Sequence, residues 1–474
     1  MTLEKNILKY LLPFFLLLMT AGMQAQQSVL EWEAVRPVVL EKSPAAQQAR
    51  LFAEQAEAAL LRARGGFDPK LFAGYESKQF KDKTYFQHSE SGVKVPTWAG
   101  LEVKGSYLSA AGAFLNPEES LPANGQATLG ISWTLGQGLL IDDRRADLFQ
   151  ARIGLRQGNA TRDELLNELV LLGAKAYWEW VLHDNQLNIY DKNREQAQIR
   201  YQALRESFRQ GERPAIDTLE TFIQLQNRLL DVNFASVERR NAALELSNFY
   251  WPEGRQEPER ISAYSSPALT EGLYKNYSET EMEALVQVAL DRHPALRNYT
   301  AKLEYLEVEK RLKNEKRKPE LNLSYNLLGS GWEFFPSTGA EGAAVFARDI
   351  KWGVNFSYPL LNRKARGDFQ VTKVKIAQTR LDLQQKQVAI SNKVRQYANE
   401  LNTLSSQITL YRSITNNYRT LLDAENIRFS YGESSIFLLN TREQRWLEAQ
   451  IKLLKLCSEY RKAEAGLNWA MGTL

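Results

Sequence analysis

Apolar residues recur at alternating spacings of three and four along two very long stretches of the chain, both free of proline. A period near 3.5 residues is typical of helices that pack side by side over their whole length. We therefore predict long helices over residues 145–210 and 366–431, each roughly 95 Å long. The apolar positions are Leu187, Tyr190, Ala197, Tyr201, Leu204 and Phe208 in the first stretch, and Leu404, Ile408, Tyr411, Ile414, Tyr418 and Leu421 in the second.

The two long stretches match each other in spacing and in the residues around them. Both open on an Arg-x-Asp triplet, and both end on a phenylalanine that stands shortly before a glycine turn. Equal spacings at several landmarks indicate an internal duplication of the whole chain. The landmarks with equal spacing are Asp147–Gly211 with Asp368–Gly432, and Pro44–Pro69 with Pro294–Pro319.

The duplication predicts two repeats that share one order of elements: short helix, strand, loop, strand, long helix, tight turn and return helix. A stretch rich in Pro, Ser and Tyr links the repeats. The predicted bounds are as follows: first repeat 26–251, with strands at 67–79 and 126–136, a long helix at 145–210 and a return helix at 214–250; linker 252–280; second repeat 281–474, with strands at 319–328 and 350–360, a long helix at 366–431 and a return helix at 434–470.

The strands that precede the long helices alternate apolar and small polar residues. In the first, Leu129, Ile131 and Trp133 point one way while Thr128 and Ser132 point the other. This pattern fits the wall of a transmembrane barrel, and it also fits an antiparallel sheet on a soluble core. Four strands cannot close a barrel alone, since the smallest bacterial barrels have about eight strands. Residues 80–120, an elaboration of the first repeat, are either a loop or an added hairpin.

The N-terminal residues 1–25 read as a secretory signal peptide. Lys5 and Lys9 form a charged start, the apolar run Leu11–Met19 follows, and small residues precede Gln26. A membrane anchor is the alternative, but the apolar run falls short of the roughly 20 residues that a helical span needs. No other stretch has the composition of a transmembrane helix, so strands are the expected means of entering a membrane.

The composition argues against several functional classes. Lys and Arg total 60, and Asp and Glu total 56. This near balance argues against a dominant basic face of the kind that binds nucleic acid. The three histidines are scattered, and no phosphate-binding loop, zinc-protease motif or nucleophile elbow is present, so we expect neither an enzyme nor a cofactor or metal site. The single cysteine, Cys457, excludes an internal disulfide.

In this order, and twice over, these features resemble the TolC-type outer-membrane efflux proteins, also called outer membrane factors. The resemblance rests on three motifs. Pro-x-Leu begins the strands at Pro69 and Pro319. An alternating strand, Trp352–Leu361, passes into the long helix, and the turn Arg428–Gly432 is followed by Ile436. The first copy departs mildly, because Gly136 and Gly138 stand where the second copy has a proline.

The resemblance implies a mainly α fold with a transmembrane β part. Three chains would form a long α-helical barrel in the periplasm and complete a 12-stranded β-barrel in the outer membrane, in contact with its lipid. It implies the channel-tunnel of a tripartite efflux or type I secretion system, a passive exit duct served by an inner-membrane pump and a periplasmic adaptor. The alternative is a periplasmic adaptor or coiled-coil scaffold without a pore. The transported substrate and the pump system stay open.

The resemblance also implies where function concentrates. Family members carry an acidic constriction just past the second turn, where Leu438 and Thr441 stand here; Asp217 holds the analogous place in the first copy. Its carboxylate either attracts cations at a constriction or only favours a helix start. Arginines at the strand-to-helix junctions either anchor at the inner leaflet or are solvated. The residues concerned are Gly211, Glu212, Asp217, Gly432, Glu433, Leu438 and Thr441 for docking and gating, and Arg144, Arg145, Arg363 and Arg366 for the junctions.

Overall fold

The structure is a computed structural model that describes residues 29–115, 120–252, 261, 264–270, 272, 274–332 and 349–473. The signal peptide predicted at residues 1–25 lies outside these ranges. The chain divides into two compact units. The sheet unit comprises Ala49–Glu164 and Arg292–Ala389, and the helical unit comprises Met1–Gln48, Leu165–Asp291 and Ile390–Leu474.

Helices account for most of the described residues, and they come in matching pairs. The first four helices along the chain have the same order and similar lengths as the second four, as expected from the duplication. The two longest contain no proline, which leaves every backbone N–H available for helical hydrogen bonding. The helices are α1 Trp32–Lys42, α2 Pro44–Arg64, α3 Asp143–Arg209, α4 Ala215–Ser247, α5 Glu279–Arg292, α6 Pro294–Glu315, α7 Arg363–Ser430 and α8 Ile436–Met471.

One antiparallel sheet forms the core of the sheet unit. Its strands are adjacent in chain order, so the first and the sixth are the edges. The two repeats meet in the middle, where Ile131 of the fourth strand pairs with Tyr325 of the fifth. The strands are β1 Lys70–Phe80, β2 Lys83–Pro96, β3 Leu101–Ala111, β4 Gln126–Gly136, β5 Glu320–Ser330 and β6 Ile350–Ser357.

The described residues form six strands, two more than the four that a twelve-stranded trimeric barrel assumes, and residues 80–120 take the second of their two alternatives, an added hairpin. Residues 83–111 form a hairpin, β2–β3, that lies between the two expected strands of the first repeat. The sequence conceals it because serines, glycines and charged residues dilute the apolar alternation that marks a strand. The twelve-strand total that assumed four strands in each of three chains therefore no longer follows.

Among the described residues, no helix carries an apolar stretch long enough to cross a bilayer.

The helix starts at Pro44 and Pro294 are capped by equivalent residues with different chemistry. The Ser43 hydroxyl accepts a hydrogen bond from the Ala46 N–H at 3.2 Å. At the matching position His293 Nδ1 accepts one from the Ala295 N–H, also at 3.2 Å. An acceptor at this position satisfies an N–H that has no helical partner. The His293 ring must therefore keep Nδ1 unprotonated to act as a cap.

We expect His293 to make stability fall in mild acid. Burial lowers the pKa of His293 to about 4, and the charges of Lys386 and Arg297 contribute to the same shift. Between about pH 6.5 and pH 4, the histidine of the unfolded chain, with a pKa near 6.5, is protonated while that of the folded chain is not. The free energy of unfolding therefore decreases as pH falls from about 6.5 towards 4. The loss between about pH 7.5 and about pH 5 is on the order of 2 kcal/mol.

The matched variant is His293→Asn, which keeps a capping acceptor and removes the titrating ring. Thermal unfolding of both proteins at the two pH values measures the difference. The variant should lose less stability in acid than the parent. Equal losses in the two proteins would show that other groups cause the acid sensitivity.

The described part of the linker is bound tightly to the helical unit. Asn402 exchanges two hydrogen bonds with the backbone of Tyr277, at 2.7 and 2.9 Å. The Tyr460 hydroxyl does the same with the backbone of Lys275, at 2.7 and 3.1 Å. These side chains satisfy backbone groups of a segment that has no regular secondary structure of its own.

Candidate functional site

The turns that end the two long helices have the same geometry. Gly211 and Gly432 have φ of 77° and 76°, a left-handed conformation that favours glycine. Each turn is closed by the pair of hydrogen bonds that defines a Schellman motif. Their donors and acceptors are Gly211 N–H to Phe208 O, 3.0 Å; Glu212 N–H to Ser207 O, 2.9 Å; Gly432 N–H to Phe429 O, 3.1 Å; and Glu433 N–H to Arg428 O, 2.9 Å.

The two turns pack together in the helical unit. The Arg213 guanidinium of the first turn lies over the Phe429 ring of the second at 4.8 Å. Phe429 also packs against an apolar cluster from α3, α7 and α8, formed by Leu204, Leu422, Ile436 and Leu439. We call the two turns and this cluster the tip. The structure thus brings together the two glycine turns that the sequence singled out.

A buried carboxylate, Glu425, holds the second turn to α8. It is 5% exposed and accepts a hydrogen bond from the Ser434 hydroxyl at 2.6 Å. Arg428 and Arg442 approach its two oxygens, each at 3.7 Å. A buried carboxylate with two cations and a hydroxyl is well compensated. Sequence reasoning missed this residue.

A second buried ion pair joins α3 to α8 beside the tip cluster. The Arg200 guanidinium donates to Glu443, which is 3% exposed, and it reaches Asn440 Oδ1 at 3.4 Å. The neighbouring return helices are linked in a similar way. Arg228 of α4 donates to Gln444 of α8 at 2.6 Å. Polar bonds across helices at this density fix how the helices pack beside the tip.

The acidic residues predicted for the tip do not share one environment. Glu212 and Glu433 are exposed, while Asp217 is half-buried in the first turn of α4. After the second turn Leu438 is half-buried and Thr441 is exposed. Both bond locally, with the Leu438 N–H donating to the Ser435 hydroxyl at 3.3 Å and the Thr441 hydroxyl donating to Phe437 O at 2.9 Å.

Helices α4 and α7 each expose an apolar stripe that the single chain leaves uncovered. On α4, in the helical unit, exposed apolar residues return every seventh position. On α7, in the sheet unit, three more do the same. Soluble monomers rarely leave such contiguous apolar surface in water, so each stripe marks a packing surface. The stripe residues are Ile216, Ile223, Leu230, Val237 and Leu244 on α4, and Val374, Leu381 and Val388 on α7.

The sheet has one apolar face that is open to its surroundings. Trp352, Val354 and Phe356 of the edge strand β6 are 68%, 51% and 69% exposed. Leu129 and Ile131 of β4 lie on the same face and are also exposed. The opposite face carries polar side chains: the Thr134 hydroxyl, for example, donates to Asn322 Oδ1 at 2.7 Å.

The four junction arginines do not act alike. Arg145 is buried, and its guanidinium donates to the carbonyls of Leu139 at 3.1 Å and Gly138. Asp142 accepts from the Arg145 backbone N–H at 2.8 Å, which caps α3. Arg145 therefore holds the loop between β4 and α3, and neither the solvated nor the interfacial alternative describes it. The other three, Arg144, Arg363 and Arg366, are exposed.

Comparison with known proteins relates this fold to outer-membrane channels. Residues 285–473 match the model of the family described as outer membrane efflux protein. The motif-based resemblance to TolC-type efflux proteins is thereby confirmed. A search of curated protein sequences returned no match.

Solved structures extend the likeness to nearly the whole chain. The outer membrane channel CmeC of Campylobacter jejuni superposes with a TM-score of 0.64 at 15% identity, covering 93% of this chain and 85% of that one. VceC of Vibrio cholerae gives 0.66 at 13% identity, covering 93% and 95%. The open state of MtrE from Neisseria gonorrhoeae gives 0.62 at 15% identity, covering 92% and 88%. At these identities the likeness establishes the fold.

Proposed function

We propose that three copies of this chain form an outer-membrane channel that serves as a passive exit duct of a tripartite efflux or type I secretion system. A periplasmic adaptor and an inner-membrane pump would deliver the substrate. The observation that carries the proposal is the sheet, whose exposed face is apolar on strands that pass directly into paired long helices. A soluble sheet would cover such a face with its own core.

The edges of the sheet support assembly from several copies. β1 and β6 have no strand partner on their outer sides within the described residues. An exposed edge in lipid would leave backbone N–H and C=O groups without hydrogen bonds, which costs several kcal/mol for each group. Pairing β6 of one copy with β1 of the next removes every edge. Because the two edges differ, this contact is head-to-tail, the type of contact that generates a ring when the rotation between copies closes.

The helical stripes support the same arrangement independently. The stripe on α4 lies in the helical unit and the stripe on α7 lies in the sheet unit, so each stripe needs a partner helix of its own. Their seven-residue period suits helices that coil around one another with a left-handed supercoil. Sheet edges and helix stripes both favour assembly of several identical chains.

We place adaptor docking and gating at the tip. The exposed carboxylates Glu212 and Glu433 and the half-buried Asp217 lie beside the two glycine turns. A groove between α4 and α8, with Phe234 and Phe437 among its lining residues, extends along the helices from there. An adaptor that binds these turns would alter the packing held by the ion pairs and the ring contact of the tip. An acidic constriction at Asp217 stays a prediction.

A matched pair of arginine substitutions on β4 tests the channel. Ile131→Arg puts a charge on the apolar face, where a barrel in lipid loses about 2–4 kcal/mol. Ser132→Arg puts the same charge on the opposite, polar face. We expect Ile131→Arg to abolish membrane-inserted trimers and bilayer conductance, and Ser132→Arg to preserve both. The readouts are trimer mass in detergent and single-channel conductance.

The alternative, a periplasmic adaptor or coiled-coil scaffold, predicts no difference between the two substitutions. On a soluble protein both positions are exposed, and either arginine would be harmless. A water-soluble protein without conductance, unaffected by either substitution, would overturn the channel. The six-stranded sheet and the two complete pairs of long and return helices argue against this alternative.

A further inference from the structure

The hairpin β2–β3 is integrated in the sheet along most of its length. β2 pairs with β1 from Lys70 opposite Lys94 to Phe80 opposite Lys83. β3 pairs with β4 from Leu101 opposite Trp133 to Leu108 opposite Gln126. The two strands expected in the first repeat, β1 and β4, do not pair with each other, because both strands of the hairpin lie between them.

The register gives the hairpin the same two faces as the other strands. Because paired residues in a sheet point to the same side, rows of side chains run across the strands. Val93 therefore lies on the apolar face with Leu129, and Val103 lies there with Ile131. One row is Leu71, Val93, Gly105, Leu129, Leu327 and Ile350, and the next is Val95, Val103, Ile131, Tyr325 and Trp352.

The opposite face of the hairpin is charged and continues the polar face of β4. Lys104 of β3 pairs with Glu90 of β2 at 2.5 Å. The Ser106 and Thr128 hydroxyls lie 2.7 Å apart across the β3–β4 boundary. A strand with valines on one side and ion pairs on the other has the pattern of a barrel wall between lipid and water.

The turn of the hairpin is fixed at the end of the sheet where α3 begins. The Trp98 ring in this turn lies 5.9 Å from Phe67, just before β1, and 5.6 Å from Phe149, early in α3. The Thr97 hydroxyl closes the turn by donating to Leu101 O at 2.7 Å. The turn of the hairpin thus lies at the end of the sheet where β1 begins and β4 ends.

We infer that β2 and β3 are wall strands of the barrel, so that three chains with six strands each close an eighteen-stranded barrel. The inference rests on the proposed trimeric channel. Barrel diameter grows roughly in proportion to strand number, and barrels of about 16–18 strands enclose an aqueous channel. The outer-membrane exit would be about half as wide again as a twelve-stranded one. Its lumen would carry the charges of Glu90, Lys94, Glu102 and Lys104.

Single-cysteine accessibility in lipid tests the wall position of the hairpin. The unsubstituted protein provides the background, because its one cysteine, Cys457, is buried. In liposomes, a membrane-impermeant maleimide should not label Val93→Cys or Val103→Cys, which face lipid. It should label Lys94→Cys and Lys104→Cys, which face the lumen. Ile131→Cys and Ser132→Cys on β4 are the matched controls for the same alternation.

The outcomes separate the two proposals. If labelling alternates along the hairpin between the same two faces as on β4, the result supports an eighteen-stranded wall. Labelling of Val93→Cys and Val103→Cys with alternation kept on β4 would make the hairpin a loop outside the wall, leaving the channel intact. Loss of alternation on β4 would overturn the channel and the wall together. Electron cryo-microscopy of the unsubstituted trimer counts the strands directly, and a count of four strands per chain would overturn the inference.

Discussion

Replacing Arg200 by alanine is expected to lower the free energy of unfolding by about 3–5 kcal/mol, the usual cost of breaking a buried ion pair from one side. The substitution leaves the Glu443 carboxylate in place, with a side chain only 4% exposed and its cation gone. Asn440 cannot supply the missing charge. Denaturant or thermal unfolding in detergent measures the effect.

The matched control is Arg445→Ala on α8. Arg445 pairs with Glu448 at 3.1 Å, but the two side chains are 61% and 50% exposed. Exposed pairs contribute about 0–1 kcal/mol, so this variant should stay close to the parent. Equal losses from the two substitutions would show that burial does not set the strength of the Arg200 pair.

The Arg200 variant also bears on the proposed gate. Arg200 and Glu443 join α3 to α8 beside the tip, and the packing there should loosen when the pair is broken. If the tip restricts the channel, Arg200→Ala should raise single-channel conductance while Arg445→Ala leaves it unchanged. Unchanged conductance in an unstable Arg200 variant would place the restriction elsewhere.

Replacing Trp180 by alanine should cost about 3–5 kcal/mol, because it removes a large ring from a closely packed interior. Trp180 is fully buried in the helical unit, with its ring 5.9 Å from that of Tyr177. Tyr177 in turn donates to Leu30 O at 2.9 Å and packs against Trp32 at 5.5 Å. The cavity would therefore weaken the attachment of the chain segment around α1.

Two further variants serve as comparisons for the stability loss of Trp180→Ala. Ile199→Ala on the same helix removes a side chain from a residue that is 59% exposed, and it should change stability far less. Trp180→Phe keeps an aromatic ring and should fall between the parent and Trp180→Ala. The rate of proteolytic cleavage near residue 30 should be highest for Trp180→Ala, intermediate for Trp180→Phe and lowest for the parent. A Trp180→Ala protein as stable as Ile199→Ala would contradict the close packing around this ring.

The long helices and their ends were predictable because their signals are local. Proline-free apolar periodicity identifies α3 and α7, and a glycine turn after each marks where the backbone must take positive φ at Gly211 and Gly432. The match between Ser43 and His293 likewise follows from spacing, since both precede a proline that starts a helix. The apolar alternation of β4 and β6 was readable for the same reason.

The hairpin β2–β3 was not predictable to the same degree. Its residues mix serines, glycines and both charges, so their alternation is weak along the chain. The strands become evident only through pairing, when Val93 lies between Leu71 and Gly105 and Lys104 meets Glu90. Strand propensity depends on neighbours across the sheet, which are distant in sequence.

The duplication can be read from the sequence alone because equal spacings recur in the two halves of the chain. The long helices, their glycine turns and the two faces of β4 can be read because each depends on residues close together in the chain. The strand count and the burial of particular charges depend on the three-dimensional fold. Arg145, Glu425 and Glu443 look like ordinary surface residues in the sequence. Their burial requires partners such as Arg442 and Arg200, and folding alone brings these into contact. A buried charge is tolerated only with such partners, and sequence spacing does not reveal them.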